Sequence, residues 1–264
     1  MTTIERIKHF FTQFGIYTHQ FRMGVKGSIP MIRDFVKFKR AFADQTEFTK
    51  TNFYPLLADR FDTAGIATGH YFHQDLLVAQ KIFLANPRRH VDVGSRIDGF
   101  VSHVASFRQI EIIDIRKIVS KTDNILFRQA DLMSPDFKLT ELTPSLSCLH
   151  TIEHFGLGRY GDPFDLDGHR KGFKNLVSCL EEGGIFYFST PIGNPRIEFN
   201  AHRVFSISIL LDMFNVNNME VQDFAFVDDN GDLQKDQSPF SDSAKGNFGL
   251  NYGCGIFTLV KKTS

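Results

Sequence analysis

The chain is organised around the stretch His90-Val91-Asp92-Val93-Gly94-Ser95-Arg96-Ile97-Asp98-Gly99-Phe100. Its first half is an apolar run between polar residues, which predicts a short buried strand. Two glycines follow, Gly94 and Gly99, and then a helical pattern begins. A strand that turns tightly into a helix leaves backbone N–H groups free at the turn, and such turns hold nucleotides and related cofactors. The stretch therefore predicts a cofactor site.

Strand and helix patterns alternate through residues 90–190, which predicts a parallel sheet with helices on both faces. The last two strands have no helical pattern between them and predict an antiparallel pair, joined by a partly disordered connection over 228–251. The expected fold is α/β, a Rossmann-like, doubly wound, mostly parallel seven-stranded sheet with an antiparallel edge hairpin. Predicted strands cover 90–93, 109–114, 125–130, 145–151, 185–190, 219–227 and 252–261, and predicted helices cover 73–85, 97–106, 167–182 and 202–214.

An N-terminal helical extension over residues 1–70 is expected ahead of this domain, which takes residues 71–264. Apolar spacing predicts helices at 3–23 and 31–43, with a break at 24–30 where Gly and Pro cluster. Residues 1–50 carry nine basic and four acidic side chains, a net charge of +5. Two interpretations stay open: a helical cap packed on the main domain, or a basic amphipathic surface for peripheral membrane contact.

Composition excludes several classes of protein. The 264 residues contain 30 basic and 30 acidic side chains, so no nucleic-acid partner is expected. Three scattered cysteines form neither a disulfide framework nor a zinc knuckle. The chain has no apolar run long enough for a transmembrane segment and no signal-peptide pattern after Met1, so a cytoplasmic enzyme is expected. The oligomeric state is not indicated.

Polar residues follow the ends of four predicted strands. Asp92 and Gly94 end the first, and Asp114 ends the second, about twenty residues past the glycine, where an acid can meet a ribose diol. Asp131 follows the third strand and His150 the fourth. Ligands of open α/β sheets bind at the carboxyl ends of the strands, so we expect these residues to lie together.

This ordered series resembles the class I S-adenosylmethionine-dependent methyltransferases over roughly residues 70–262. The resemblance implies S-adenosyl-L-methionine as cofactor. It implies that Asp92 and Gly94 contact the methionine moiety and that Asp114 binds the ribose. Asp131 and Leu132 would contact the adenine, and Ile115 would pack on the adenine ring. We add His150 as a further cofactor contact. More narrowly, residues 94–100, 149–163 and 199–203 resemble a bacterial and nematode methyltransferase-like family named as a domain of unknown function.

One residue departs from the methyltransferase pattern. The family favours Gly-x-Gly-x-Gly in the first loop, and here Arg96 occupies the middle position. Its side chain either points away from the cofactor or meets the cofactor carboxylate, a geometry that suits a guanidinium. The missing Gly-x-Gly-x-x-Gly also disfavours the rival interpretation, an NAD-dependent oxidoreductase.

Catalytic candidates crowd the loop after the fourth strand. Methyl transfer to a hydroxyl needs a group that takes the hydroxyl proton, and a histidine suits that role. We expect His154 to be this base and Glu153 to orient it; in the alternative, the two cap the loop or hold the cofactor. Predicted substrate contacts are Arg159, Tyr160, Asp162, Asn200, His202 and Arg203, although Asn200 could instead cap a helix.

No metal site is predicted. The series His150-x-x-Glu153-His154 matches a zinc-protease pattern that requires a helix, but here it follows a strand. A divalent ion held by Glu153, His154 and Asp162 is the alternative. The predicted function is methyl transfer from S-adenosylmethionine to a hydroxyl of a small molecule or a sugar or glycan precursor. The rival of another class is a non-catalytic, methyltransferase-shaped binding or scaffold protein.

Overall fold

The computed structural model describes residues 3–42, 47, 50–119, 122–139 and 141–263. The chain divides into two compact units, Met1–Ile66 and Ala67–Ser264. Among the helices of the described ranges, none combines the length and the apolarity that crossing a bilayer requires. The role of the first unit as a cap or as a membrane-facing surface stays a prediction.

The first unit contains two helices, α1 (Thr3–Thr12) and α2 (Thr18–Ala41). The predicted break at 24–30 is wrong: α2 runs through it, and the chain instead turns at Gly15, where φ is +76°. A Cβ at Gly27 would lie 1.8 Å from the carbonyl oxygen of Leu57. Gly27 therefore lets another chain segment approach the helix closely and does not end it. The predicted helix end at residue 43 lies outside the described residues.

The second unit is a doubly wound α/β domain, as predicted. Its elements are α3 (His70–Ala85), β1 (Val91–Val93), α4 (Ser102–Ala105), β2 (Ile110–Asp114), β3 (Ile125–Gln129), β4 (Thr143–Leu149), α5 (Gly168–Ser178), β5 (Leu180–Ile192), β6 (Arg196–Glu198), β7 (His202–Val204), α6 (Ile207–Val216), β8 (Met219–Val227), β9 (Leu233–Gln234), α7 (Asp242–Lys245) and β10 (Gly253–Lys261). The strands of its main sheet have the order β3-β2-β1-β4-β5-β10-β8-β9. Strands β1 to β5 pair in parallel, whereas β10 is antiparallel to both β5 and β8.

Both faces of the sheet are covered, and alternation along the strands divides the core between them. Phe186 and Phe188 of β5 pack with Phe173 of α5 on one face, while Tyr187 belongs to the cluster on the other. Helices α3 and α4 cover that second face. The β-strands are therefore held from both sides, and the carboxyl ends of β1, β2, β3 and β4 open at one edge.

Three predicted helices differ from the structure. The predicted helix at 97–106 is an irregular turn over Ile97–Val101 followed by the short α4. The predicted helix at 167–182 ends at Ser178, because Gly183 and Gly184 lie in a bulge at the start of β5, where the pairing with β4 shifts register.

The third difference concerns the predicted helix at 202–214. Residues 196–204 form the β6–β7 hairpin, with Asn200 in its turn at a φ of +56°. Helix α6 begins at Ile207 and is capped by Ser206, whose side chain accepts a hydrogen bond from the backbone N–H of Ile209. The helix-cap alternative for Asn200 is thus wrong. The connection over 228–251, expected to be partly disordered, contains β9, α7 and a 3-10 turn.

Candidate functional site

The loop after β1 is fixed from behind by a buried carboxylate. Asp92 is fully buried and accepts hydrogen bonds from the backbone N–H of Ser95 (3.2 Å), the Oγ of Ser95 (2.8 Å) and the Oγ of Ser147 (2.5 Å). Burial raises the pKa of Asp92 to about 7. Asp92 does not line the two cavities described below. It therefore shapes the loop, whereas the resemblance implied a direct contact with the cofactor.

Gly94 makes the turn possible. Its φ is +72°, and a Cβ there would lie 2.3 Å from Cγ2 of Thr151. The Thr151 hydroxyl donates to the carbonyl of Leu149 (3.0 Å), which fixes the side chain that crowds this position. Only glycine fits, because both the left-handed backbone and the contact exclude a side chain.

A cavity of about 550 Å3, including its open mouth, lies over the carboxyl ends of β1 to β4. Its base is partly apolar, and the carboxylate of Asp131 accepts from the backbone N–H of Met133 (2.8 Å). The structure brings together here six of the predicted cofactor residues, Gly94, Asp114, Ile115, Asp131, Leu132 and His150.

Asp114 already has a partner in this cavity. Its Oδ1 accepts from the backbone N–H (2.7 Å) and Nε (3.0 Å) of Arg116, and its Oδ2 from a terminal guanidinium nitrogen (2.7 Å). The guanidinium also lies 4.7 Å from the ring centre of Tyr160. A ribose bound at Asp114 would have to displace this half-exposed guanidinium. The sequence analysis missed Arg116, whose one signal is its place two residues after the acid.

A second cavity, of about 740 Å3 with its mouth, shares five lining residues with the first: Gly94, His150 and His154, together with Arg116 and Tyr160. Arg96 lines it, but its guanidinium pairs with Asp98 at 3.0 and 2.8 Å and is 65% exposed. A contact between Arg96 and the cofactor carboxylate therefore stays a prediction. Other polar and aromatic residues lining this cavity are Tyr71, Gln74, Asp75, Ser95, Arg116, Arg159 and Tyr160.

Asp75 is a site residue that the sequence analysis missed. It lies in α3, is 6% exposed, and receives a hydrogen bond from the amide of Gln74 (3.0 Å). Burial raises its pKa. A Cβ at Gly99 would lie 2.7 Å from its Oδ2, so the second glycine of the opening stretch makes room for this carboxylate. The sequence signal was that Asp75 is the one acidic residue of α3.

Glu153 and His150 form a buried carboxylate–imidazole pair. The Oε1 of Glu153 lies 2.8 Å from Nδ1 of His150, and Glu153 is fully buried. Burial alone would raise the pKa of Glu153, but the charge and hydrogen bond of His150 outweigh it and lower that pKa. Burial likewise opposes protonation of His150, yet Cys254 and Glu153 raise the pKa of His150 well above its ordinary value. Glu153 is therefore ionised.

His154 lines both cavities and is held in one tautomer. Its Nδ1 lies 2.6 Å from the carbonyl oxygen of Ala201 and 3.2 Å from a guanidinium nitrogen of Arg159. The shorter contact assigns the proton to Nδ1 and the lone pair to Nε2. Nε2 lies 3.8 Å from Oε1 of Glu153. Burial lowers the pKa of His154, so the ring is neutral at pH 7 and can accept a proton.

Several predicted substrate residues hold the loop after β4 in place. Asp162 lines the first cavity, and its carboxylate accepts from the backbone N–H groups of Gly156 (2.8 Å), Gly158 (3.3 Å) and Tyr160 (3.1 Å). The carboxylate of Asp162 therefore binds backbone groups of the loop. Within the described ranges it does not form a metal-ligand group with Glu153 and His154.

The β6–β7 hairpin has a similar supporting role. Arg203 is 5% exposed and donates to backbone carbonyls of the same loop, the shortest contact being 2.6 Å to Phe155. Asn200, His202 and Arg203 line neither cavity. Arg203 therefore braces the loop, whereas the sequence analysis expected it to meet substrate. Arg159 reaches the second cavity and donates to the carbonyl of Ala201 (3.1 Å).

Comparison of the sequence with known families and curated proteins finds one family model. Residues 136–234 match the family model described as "Caenorhabditis protein of unknown function, DUF268". No curated protein sequence is significantly similar to the chain.

Solved structures similar to the chain include methyltransferases and the [4+2]-cyclase SpnF. A candidate sarcosine dimethylglycine methyltransferase from Galdieria sulphuraria is 11% identical and covers 72% of this chain and 86% of its own, with a TM-score of 0.50. The N-methyltransferase NodS from Bradyrhizobium japonicum WM9, in complex with S-adenosyl-L-homocysteine, is 13% identical over 74% of this chain and 89% of its own, with a TM-score of 0.48. The chain thus shares the fold of the Galdieria protein, and such low identity indicates nothing about its substrate.

The tight turn at Gly94 gives a stability prediction. Gly94→Ala and the control Gly249→Ala both place alanine at a φ of +72°, but an added Cβ at Gly249 meets nothing within 4 Å. Each change costs about 1–2 kcal/mol for the left-handed backbone. We expect Gly94→Ala to lose about 1–3 kcal/mol more, because it also displaces Thr151. Urea unfolding at pH 7 measures both, and equal losses would show that the contact with Thr151 is unimportant.

Proposed function

We propose that the protein transfers a methyl group from S-adenosylmethionine to a hydroxyl of a small molecule or a sugar or glycan precursor. One observation carries this proposal: two adjoining cavities share Gly94, His150 and His154. The first has the features of a cofactor site and the second those of a polar acceptor site. The two would meet at His154.

The residues of the first cavity fit the proposed cofactor. The carboxylate of Asp114 is an acceptor for two ribose hydroxyls, and buried Leu132 offers an apolar surface to an adenine. At Gly94 the missing side chain allows a ligand to approach the backbone closely.

The lining of the second cavity supports a hydroxylated acceptor. Asp75 and Arg159 supply a carboxylate and a guanidinium, which accept from and donate to sugar hydroxyls, whereas both amide atoms of Gln74 are engaged by Asp75 and Ser189. Tyr71 and Tyr160 add aromatic surface at its margin. This arrangement favours a sugar-like acceptor over an apolar one.

The proposed chemistry assigns the proton transfer to His154. Bound S-adenosylmethionine supplies an electrophilic methyl group on a positively charged sulfur, and the sulfur leaves as a neutral thioether. As the acceptor oxygen forms its bond to the methyl carbon, its proton passes to Nε2 of His154. The ionised Glu153, 3.8 Å away, stabilises the imidazolium that forms. The hydrogen bond from Nδ1 to Ala201 keeps the ring oriented.

The ribose assignment predicts a loss of cofactor affinity. Asp114→Asn should weaken binding of S-adenosylhomocysteine by about 10–100-fold, because it removes the charge from two hydrogen bonds. Glu111→Gln is the control: it lies on the same strand and also forms an arginine pair, with Arg89. Isothermal titration calorimetry measures both. If wild type shows no binding at millimolar ligand, the proposed cofactor is wrong.

The base assignment predicts a pH profile. His154→Gln should lower kcat by about 10²–10⁴-fold and leave cofactor affinity nearly unchanged. In wild type the rate should be full above neutrality and fall as the pH drops through the lowered pKa of His154, below 6.5. The buried His169, which lines neither cavity, provides the control His169→Gln.

Transfer of labelled methyl groups to a panel of hydroxylated sugars measures these rates. A variant with normal kcat and weakened cofactor binding would make His154 a binding residue. Cofactor binding without methyl transfer to any acceptor would favour the scaffold interpretation.

A further inference from the structure

Three side chains from distant parts of the second unit meet beside the cavities. His70 begins α3, His150 follows β4, and Cys254 lies near the start of β10. One ring nitrogen of each histidine and the Sγ of Cys254 all lie within 4.8 Å of one another. Of these three residues only His150 lines either cavity, so the cluster lies behind the cavity wall.

One atom of this cluster is a buried donor or acceptor without a partner. The Nε2 of His150 is inaccessible to solvent and makes no hydrogen bond within the described part of the chain. Leaving such a group unpaired is unfavourable, because nothing replaces the hydrogen bond to water that it loses on burial. Because Nδ1 of the same ring is engaged by Glu153, Nε2 is the nitrogen left to bind a ligand.

The partners of the cluster are those that orient metal ligands. Metal-binding histidines usually hold their second ring nitrogen against a carboxylate or a backbone carbonyl. Glu153 fills this role for His150 at 2.8 Å, and the backbone of Tyr252 provides a hydrogen-bond partner for His70. The thiol of Cys254 has long contacts to Oε1 of Gln74 (3.7 Å) and to the carbonyl oxygen of Gly255 (3.8 Å), so losing its proton costs little hydrogen bonding.

We propose that His70, His150 and Cys254 bind a thiophilic divalent metal ion, Zn²⁺, through two imidazole nitrogens and a thiolate. Two imidazoles and one thiolate are a ligand set that zinc takes readily, with a fourth position left for water or another group. In a tetrahedral zinc site such atoms lie about 3.3–3.7 Å apart, so the three ligand atoms need to close by about 1 Å. The rings of His70 and His150 are stacked, with centroids 5.2 Å apart, and would turn to aim a lone pair at the ion. On binding, the thiol proton of Cys254 and any proton on Nε2 of His150 are released to solvent.

This ion would act on the site through His150. It would join the start of α3 to β10 and fix the His150 ring in the wall shared by both cavities. All three proposed ligands come from this chain, and binding of the ion does not require S-adenosylmethionine. The proposal therefore goes beyond the proposed function and can be tested without any cofactor or methyl acceptor.

Cobalt titration of the full chain tests the ligand set. In reducing, chelator-free buffer, Co²⁺ should bind at one equivalent, with visible ligand-field bands and a thiolate-to-cobalt charge-transfer band, and Zn²⁺ should displace it. Cys254→Ser should abolish the charge-transfer band, and His70→Gln should weaken binding by at least about tenfold. Glu153→Gln should weaken it by about 10–100-fold. Cys179→Ala, which removes a buried thiol elsewhere, should change nothing.

A measurement on the wild-type chain guards against variants that fail to fold. X-ray absorption of the protein loaded with one equivalent of zinc should show one sulfur and two imidazole nitrogens around the metal. The proposal is overturned by a shell without sulfur, by the absence of stoichiometric cobalt binding, or by a charge-transfer band that survives in Cys254→Ser and is lost in Cys179→Ala.

Discussion

A fully buried carboxylate, Glu153, must keep its charge compensated, and the candidate site depends on how this is done. Removing an ionised carboxylate from water costs several kcal/mol unless partners replace the lost hydration. Here His150 lies at 2.8 Å and His154 at 3.8 Å from the same oxygen, and the Thr190 hydroxyl donates to the other at 3.4 Å. The charge of Glu153 thus orients the imidazole of His150, and the carbonyl of Ala201 orients that of His154. Each imidazole has one nitrogen fixed, which gives its other nitrogen a defined position.

The loop that carries Glu153 is held by two buried side chains that bind its backbone. The guanidinium of Arg203 binds its backbone carbonyls, and the carboxylate of Asp162 binds its backbone N–H groups. Asp92 does the same for the loop after β1 through Ser95. These buried charges satisfy backbone groups that would otherwise be unpaired in an irregular segment. The site is thereby built on two braced loops at the edge of a rigid sheet.

The alternation of strands and helices was sufficient to predict the sheet, because pattern and spacing follow directly from burial on two faces. It also predicted which strand ends would meet, so Asp114, Asp131 and His150 line one cavity as expected. Two glycines were misleading signals for helix ends. Gly27 serves a close packing contact and Gly183 lies in a bulge, and both depend on chain segments distant in sequence.

The rest of the site could not be predicted, because it too depends on contacts that form only on folding. The pairing of Asp114 with Arg116 and the cluster of His70 with Cys254 depend on side-chain positions that only the folded chain defines. Neither leaves a periodic pattern in the sequence.

A crystal structure of the protein soaked with S-adenosylhomocysteine tests the central claim most directly. The account predicts the adenine against Leu132, the ribose hydroxyls on the carboxylate of Asp114 with the guanidinium of Arg116 displaced, and the sulfur facing the second cavity near His154. A ligand bound elsewhere, with the pair between Asp114 and Arg116 intact, would contradict it.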